Sequence, residues 1–86
     1  MVRSGLRPGD PIEEAVRDFK GLRIRVYVYE VGSGRYLARG DVEVRHGTQF
    51  GFSAGLEAPT VEAAKILGFQ KGIEEAEKYL SDPTRE

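Results

Sequence analysis

Residues 60–80, TVEAAKILGFQKGIEEAEKYL, decide the fold that this sequence predicts. Apolar residues recur there at spacings of three and four, the repeat that lines one face of an α-helix. They are Ile66, Phe69, Ile73, Ala76 and Leu80, and this stripe is predicted to cover the inner face of the sheet formed by the preceding residues. Pro59 precedes the stretch and Thr60 can cap it, so a helix of about 20 residues is predicted to begin here.

Small residues form a second stripe on the same predicted helix. Ala64, Gly68 and Gly72 recur every four residues, and we call them the small-residue ridge. Each interior glycine costs a helix about 1 kcal/mol relative to alanine, so keeping two of them favours close packing of another backbone. Two interpretations stay open: the ridge packs an earlier helix of the same chain, or it packs a second subunit.

The stretch before the predicted sheet has the signals of a short helix over residues 11–20. Asp10 can cap such a helix, Pro11 suits its first position, and Gly21 can end it. Apolar residues then share one helical face. They are Ile12, Ala15, Val16 and Phe19.

Three strands are predicted between the two helices. Residues 22–31, LRIRVYVYEV, alternate between apolar and polar or aromatic side chains, which is typical of a strand with one buried face. Residues 35–45 and 49–56 continue the pattern after glycine-containing turns. The predicted fold is α+β, a helix, a three-stranded antiparallel β-meander and a helix (αβββα), with both helices on one face of the sheet.

The strand registers follow from matching the faces of the strands. Inward residues must oppose inward residues, which predicts the pairs Tyr29–Leu37, Arg25–Asp41 and Arg23–Glu43 in the first hairpin. In the second hairpin the same rule, with Arg45 opposite Gln49, predicts Val42 opposite Phe52 and Gly40 opposite Ala54.

Length and composition indicate one small domain. The 86 residues divide into an arm at 1–9, a domain at 10–81 and a tail at 82–86. The net charge is −1, there is no cysteine, and no apolar run reaches the length of a membrane span. The lack of cysteine excludes disulfides and thiolate metal sites. A cytoplasmic protein that does not contact membranes is predicted, and the absence of asparagine together with the single methionine fits a thermophilic source.

No catalytic constellation is visible in the sequence. With one histidine and no cysteine, a nucleophile, base and orienting group cannot be assembled in the usual way. The glycines at 32–34 lie between two strands and lack the lysine and helix of a phosphate-binding loop. We therefore predict a protein that is not an enzyme and has no catalytic, cofactor-binding or metal-binding residues.

The outer face of the predicted sheet carries two candidate interaction sites. The first is an apolar patch at one end of the face, which we call the outer patch: Tyr27, Tyr29, Val31 and Leu37. The second is a set of arginines beside the tyrosines, a combination that can stack bases and hold phosphates. These arginines are Arg23, Arg25, Arg39 and Arg45. The predicted cross-strand acids partly cancel their charge.

The order of elements resembles the double-stranded RNA-binding domain, in which two helices pack on one face of a three-stranded sheet. The resemblance covers about residues 10–80 and is one of topology and spacing. That family carries a basic cluster at the start of its second helix, whereas here residues 58–65 read APTVEAAK, with Lys65 as the one basic residue. The loop between the first two strands, Gly32 to Arg35, lacks the family's Pro and His. No binding residue is carried over.

The leading functional hypothesis is a small interaction module that forms a homodimer. The contact would use the outer patch or the small-residue ridge. The alternative is a nucleic-acid-binding module that uses the arginine and tyrosine side chains of the outer sheet face.

Overall fold

A computed structural model describes residues 10–44, 47 and 49–81 of the chain. Four strands precede one helix: β1 (Glu13–Phe19), β2 (Leu22–Gly32), β3 (Arg35–Glu43), β4 (Gln49–Ala58) and α1 (Val61–Ser81). The strands form one antiparallel sheet in the order β1-β2-β3-β4, and α1 lies across one face of it. The predicted arm at 1–9 and tail at 82–86 lie outside the described residues.

The predicted helix at residues 11–20 is wrong, because this stretch forms β1. Consequently the fold is a four-stranded meander followed by one helix, and the helix–three strands–helix order of the double-stranded RNA-binding domain is not found in the described residues. The reason lies at Lys20 and Gly21, whose φ angles of 52° and 86° make a two-residue hairpin turn of the left-handed type I′ class. Gly21 therefore turns a strand back on itself and does not end a helix.

The predicted β2–β3 register is confirmed at the pairs Tyr29–Leu37, Arg25–Asp41 and Arg23–Glu43. The predicted β3–β4 register is wrong by two residues, since Phe50 lies opposite Val42 and Phe52 lies opposite Gly40. A shift of two keeps every side chain on its predicted face.

Glycines explain the β3–β4 register. A Cβ placed on Gly40 would lie 2.7 Å from Cζ of Phe52, and one placed on Gly72 of the helix would lie 2.9 Å from the same atom. The aromatic ring therefore occupies space that two missing side chains leave open. Further along, a bulge shifts the register of β4 between Ser53 and Glu57, with Gly55 at a φ of 80°.

The core lies between α1 and the inner face of the sheet. Fully buried β-branched side chains form its floor: Ile24, Val26, Val28 and Val42. The small-residue ridge lies on this floor, with Ala64, Gly68 and Gly72 all buried. Neither an earlier helix nor a second subunit occupies the ridge, since the sheet of the same chain covers it.

The larger apolar stripe of α1 lies to one side of the ridge. Phe69 and Ala76 are buried, but Ile66 is 53% exposed and Leu80 is 46% exposed. The sequence reasoning that places this whole stripe on the sheet is therefore wrong, because the helix rests on its smallest residues. Within the described residues, α1 is not apolar enough to cross a membrane.

Candidate functional site

The outer sheet face is free of any described element, and the residues of the outer patch lie on it. Tyr29 lies opposite Leu37, and Tyr27 lies one position further along the same face of β2. Val31 is 41% exposed, whereas the other three side chains are half-buried. A depression of about 320 Å³ lies over this end of the face. It is lined by Asp10, Tyr29, Glu30, Val31, Leu37 and Arg39.

The predicted arginines are surrounded by acids on that face. Nε of Arg23 lies 3.8 Å from Asp18, and Nε of Arg25 lies 3.7 Å from Glu14. These two acids come from β1, so the sequence reasoning, which placed a helix there, did not count them on this face. Arg45 lies outside the described residues.

Two further acids on β3 oppose the same arginines. Glu43 lies opposite Arg23, and Asp41 lies opposite Arg25. A hydrogen bond with Tyr27, and then the negative charges nearby, raise the pKa of Arg25. The three described arginines of the face thus share it with four carboxylates, so this face offers no positive surplus to a phosphate backbone.

The open edge of β1 is a site that the sequence reasoning missed. β1 pairs with β2 on one side, and no described strand pairs with its other side. Its register with β2 runs without a shift through all seven residues. A regular, unpaired edge is a ready template for another strand.

Backbone geometry identifies the groups at this edge. In a two-residue hairpin the residues that flank the turn exchange both hydrogen bonds, and the pattern then alternates along the strand. Phe19 and Leu22 flank the turn, so Phe19, Arg17, Ala15 and Glu13 bond to β2. The N–H and C=O groups of Glu14, Val16 and Asp18 therefore point to the open edge.

A groove of about 270 Å³ runs between the β1 edge and α1. Its apolar lining joins Ala15 and Val16 of β1 to Ile66, Phe69 and Ile73 of the helix. Val16 is 50% exposed and Ile66 is 53% exposed. An apolar groove beside an unpaired strand edge is the arrangement that binds an added strand together with its side chains.

Charged residues of both β1 and α1 border the groove. The guanidinium carbon of Arg17 lies 4.4 Å from the centre of the Phe69 ring. Nζ of Lys65 forms an ion pair with Glu13, and the hydrogen bond with this carboxylate raises the pKa of Lys65. On the helix-facing side of β1, Ala15 therefore lies between the negative charge of Glu13 and the positive charge of Arg17.

The opposite edge of the sheet differs from the β1 edge. β4 is interrupted by the bulge around Gly55, and Leu56 beside it is 64% exposed. Bulges bend a strand and stop regular pairing with a further strand. Of the two edges, β1 is the one whose geometry suits continuous pairing.

Among the residues that the structure describes, no group of three or more His, Cys, Asp or Glu side chains is placed to hold a metal ion. Comparison with protein-family models, with curated proteins and with solved structures finds no match to this chain. Function is therefore argued from the geometry alone.

Proposed function

We propose that this chain is a small, non-catalytic interaction module that associates with a second copy of itself along the open edge of β1. The observation that carries the proposal is the exposed apolar flank of α1, which lies beside a regular strand edge that no described strand pairs with. Pairing of the edge satisfies its open backbone groups, and the same contact covers Ile66 in the groove on the helix side.

Domain size supports self-association. A chain of 86 residues buries only about 60–65% of its unfolded surface, so a shared interface adds stability that the core alone lacks. Closed two-fold dimers are the commonest soluble assemblies. The small-residue ridge is not part of the proposed interface, because it lies under the sheet.

The outer patch is a weaker candidate for the same contact. Three of its four side chains are already half-buried within the sheet surface, and the neighbouring rows are pairs of arginine and acid. Nucleic-acid binding by the outer face stays an unfavoured alternative, because the acids on β1 and β3 offset the arginines.

Light scattering over a range of protein concentrations tests the proposal. The unsubstituted chain is expected at twice its 9.5 kDa mass, and Ile66→Lys should shift it to the monomer. Leu56→Lys and Val31→Lys are matched controls, since both residues are exposed and apolar but lie away from the β1 edge. Both control variants should stay dimeric.

Two results would argue against this assignment. A monomeric mass at every concentration would exclude self-association. A dimer that Val31→Lys dissociates and Ile66→Lys leaves intact would move the interface to the outer patch.

A further inference from the structure

The charges of β1 are arranged about Ala15 so that the strand is complementary to itself. On the helix-facing side, Glu13 and Arg17 lie two residues to either side of Ala15. If two copies of β1 pair antiparallel about a two-fold axis through Ala15, each Glu13 lies directly opposite the other copy's Arg17. Opposite charges in such cross-strand positions stabilise an antiparallel pair.

The outward-facing side of β1 is compatible with the same alignment. Glu14 then lies opposite the second copy's Val16, and Asp18 lies beyond the start of the second copy's β1, so no two like charges meet within the paired residues. The backbone agrees as well, because the N–H and C=O groups of Glu14 and Val16 point to the open edge and bond to one another across it.

The neighbouring alignments place like charges together. An axis through Val16 puts Glu14 directly opposite the second copy's Asp18, so two carboxylates face each other across the strand pair. An axis through Arg17 puts two guanidinium groups against each other, and one through Glu14 opposes two carboxylates. Like charges directly opposite destabilise a strand pair.

We infer that two copies of this chain join β1 to β1 in one antiparallel register, with Ala15 on the two-fold axis and Glu13 of each copy paired with Arg17 of the other. The inference rests on the proposed self-association and specifies its geometry. The product is a continuous eight-stranded sheet with both helices on one face.

The helix flank adds apolar contact to this register. Ala15 is the smallest side chain of β1 and faces α1, so the two grooves meet above the axis with little between them. Ile66 and Phe69 line each groove there. Arg17, which lies over the Phe69 ring, stays within reach of the second copy's Glu13.

Single cysteines test the register directly, because the chain has no cysteine of its own. The four variants are Glu14→Cys, Ala15→Cys, Val16→Cys and Arg17→Cys, oxidised and analysed on a non-reducing gel. Directly opposed Cβ atoms lie about 4.5–5.5 Å apart and diagonal ones about 7–8 Å, whereas a disulfide needs about 3.5–4.5 Å. Ala15→Cys should therefore cross-link at least about tenfold faster than the other three.

Charge exchange gives an independent test. Glu13→Arg alone and Arg17→Glu alone should each weaken dimerisation by about tenfold, since each creates two like-charge contacts across the axis. The double variant, which exchanges the two charges, should restore the dissociation constant to within about threefold of the original. Asp18→Asn is the control and should leave it unchanged, because in this register Asp18 lies beyond the paired residues of the second copy's β1.

Each possible outcome separates the register from the proposed function. A dimer that cross-links fastest at residue 14, 16 or 17, or that Asp18→Asn tightens, would overturn this register and leave self-association standing. A dimer in which all four cysteines cross-link equally slowly would overturn pairing through β1. A monomer at all concentrations would overturn the proposed function itself, and Glu13 and Arg17 would then serve to keep the edge unpaired.

Discussion

Gly68 of the helix lies directly on Val26 of the sheet. A Cβ atom placed on Gly68 would come within 2.7 Å of Cγ1 of Val26 and within 2.8 Å of the Ala38 Cβ. Both neighbours are fully buried, so neither has free space to move into. The distance between helix and sheet is therefore set by the absence of a side chain at Gly68 and, one turn further along, at Gly72.

Gly68→Ala should lower the free energy of unfolding by up to about 2 kcal/mol. The overpacking cost of about 1–3 kcal/mol exceeds the roughly 1 kcal/mol that alanine contributes to helix propensity. Urea denaturation measures the difference, with Gln70→Ala as the control on the exposed face of the same helix. A Gly68→Ala protein that is more stable than the original would contradict this account of the packing.

Gly21→Ala should destabilise the β1–β2 hairpin by about 1 kcal/mol, because the left-handed backbone conformation is unfavourable for alanine but not for glycine. Gly21 has a φ of 86° and open space around it, so the cost is purely one of backbone conformation. Gly51→Ala is the matched control. Its nearest neighbour would lie at 3.5 Å, an ordinary contact, and its φ lies outside the left-handed region. Equal denaturation midpoints for the two variants would argue against the turn.

Acid should weaken the protein through Glu75. Burial raises the pKa of Glu75, but Lys71 at 3.3 Å and Lys78 at 3.4 Å outweigh this effect, so its pKa is lower than the ordinary value of 4.5. A carboxylate with a lowered pKa in the folded state stabilises the protein above the unfolded pKa, and this stabilisation is lost as the pH falls through the folded value.

Thermal denaturation of Glu75→Gln between pH 7 and pH 2 tests this link. The variant should be less stable than the original at pH 7, and the two should converge in acid once Glu75 is protonated. Glu77→Gln, exposed on the same turn of the helix, serves as the control. A stability difference that persists unchanged at pH 2 would show that Glu75 acts through packing.

Nucleic-acid binding by the outer sheet face should be limited by the acids of β3. Asp41→Asn combined with Glu43→Gln removes two negative charges beside Arg23 and Arg25, so affinity for a labelled single-stranded oligonucleotide should increase at low salt. Fluorescence anisotropy at several salt concentrations measures it. Tight, salt-sensitive binding by the unsubstituted chain would instead favour the nucleic-acid alternative.

The sequence predicts the sheet interior and the long helix well, for physical reasons. Apolar side chains alternate with polar or aromatic ones along residues 22–31, so only one face of this strand can be buried. Because inward residues must oppose inward residues, the β2–β3 register follows from this alternation. The long helix, predicted from residue 60, spans Val61–Ser81 because its apolar period and its N-cap agree. Thr60 accepts a hydrogen bond from the N–H of Ala63, as a cap should.

The first strand could not be predicted with the same rules. Asp10, Pro11 and Gly21 fit the ends of a helix. The four apolar residues among positions 11–20 are too few to distinguish the repeat of a helix from that of a strand. The deciding contribution is tertiary, since β2 has an edge that β1 covers. Gly21, placed directly before the alternating residues 22–31, is the one local signal that also fits a two-residue hairpin turn.

The candidate site was missed as a consequence of that error. A helix at 11–20 has no open edge, so the sequence reasoning sought interfaces on the outer sheet face and on the small-residue ridge. It also assigned the whole apolar stripe of α1 to the core, although Ile66 and Leu80 are exposed. The spacing of apolar residues alone cannot tell which of two adjacent helix stripes faces a sheet. Close approach at Gly68 and Gly72 decides in favour of the smaller residues.

The order of the elements has a consequence for synthesis on the ribosome. All four strands emerge before α1, yet α1 is the described element that covers the apolar floor formed by Ile24, Val26 and Val42. The nascent sheet therefore presents its core face to solvent or to chaperones until the last turns of the helix leave the exit tunnel. Translation pauses within residues 61–81 should therefore prolong exposure of the sheet to aggregation.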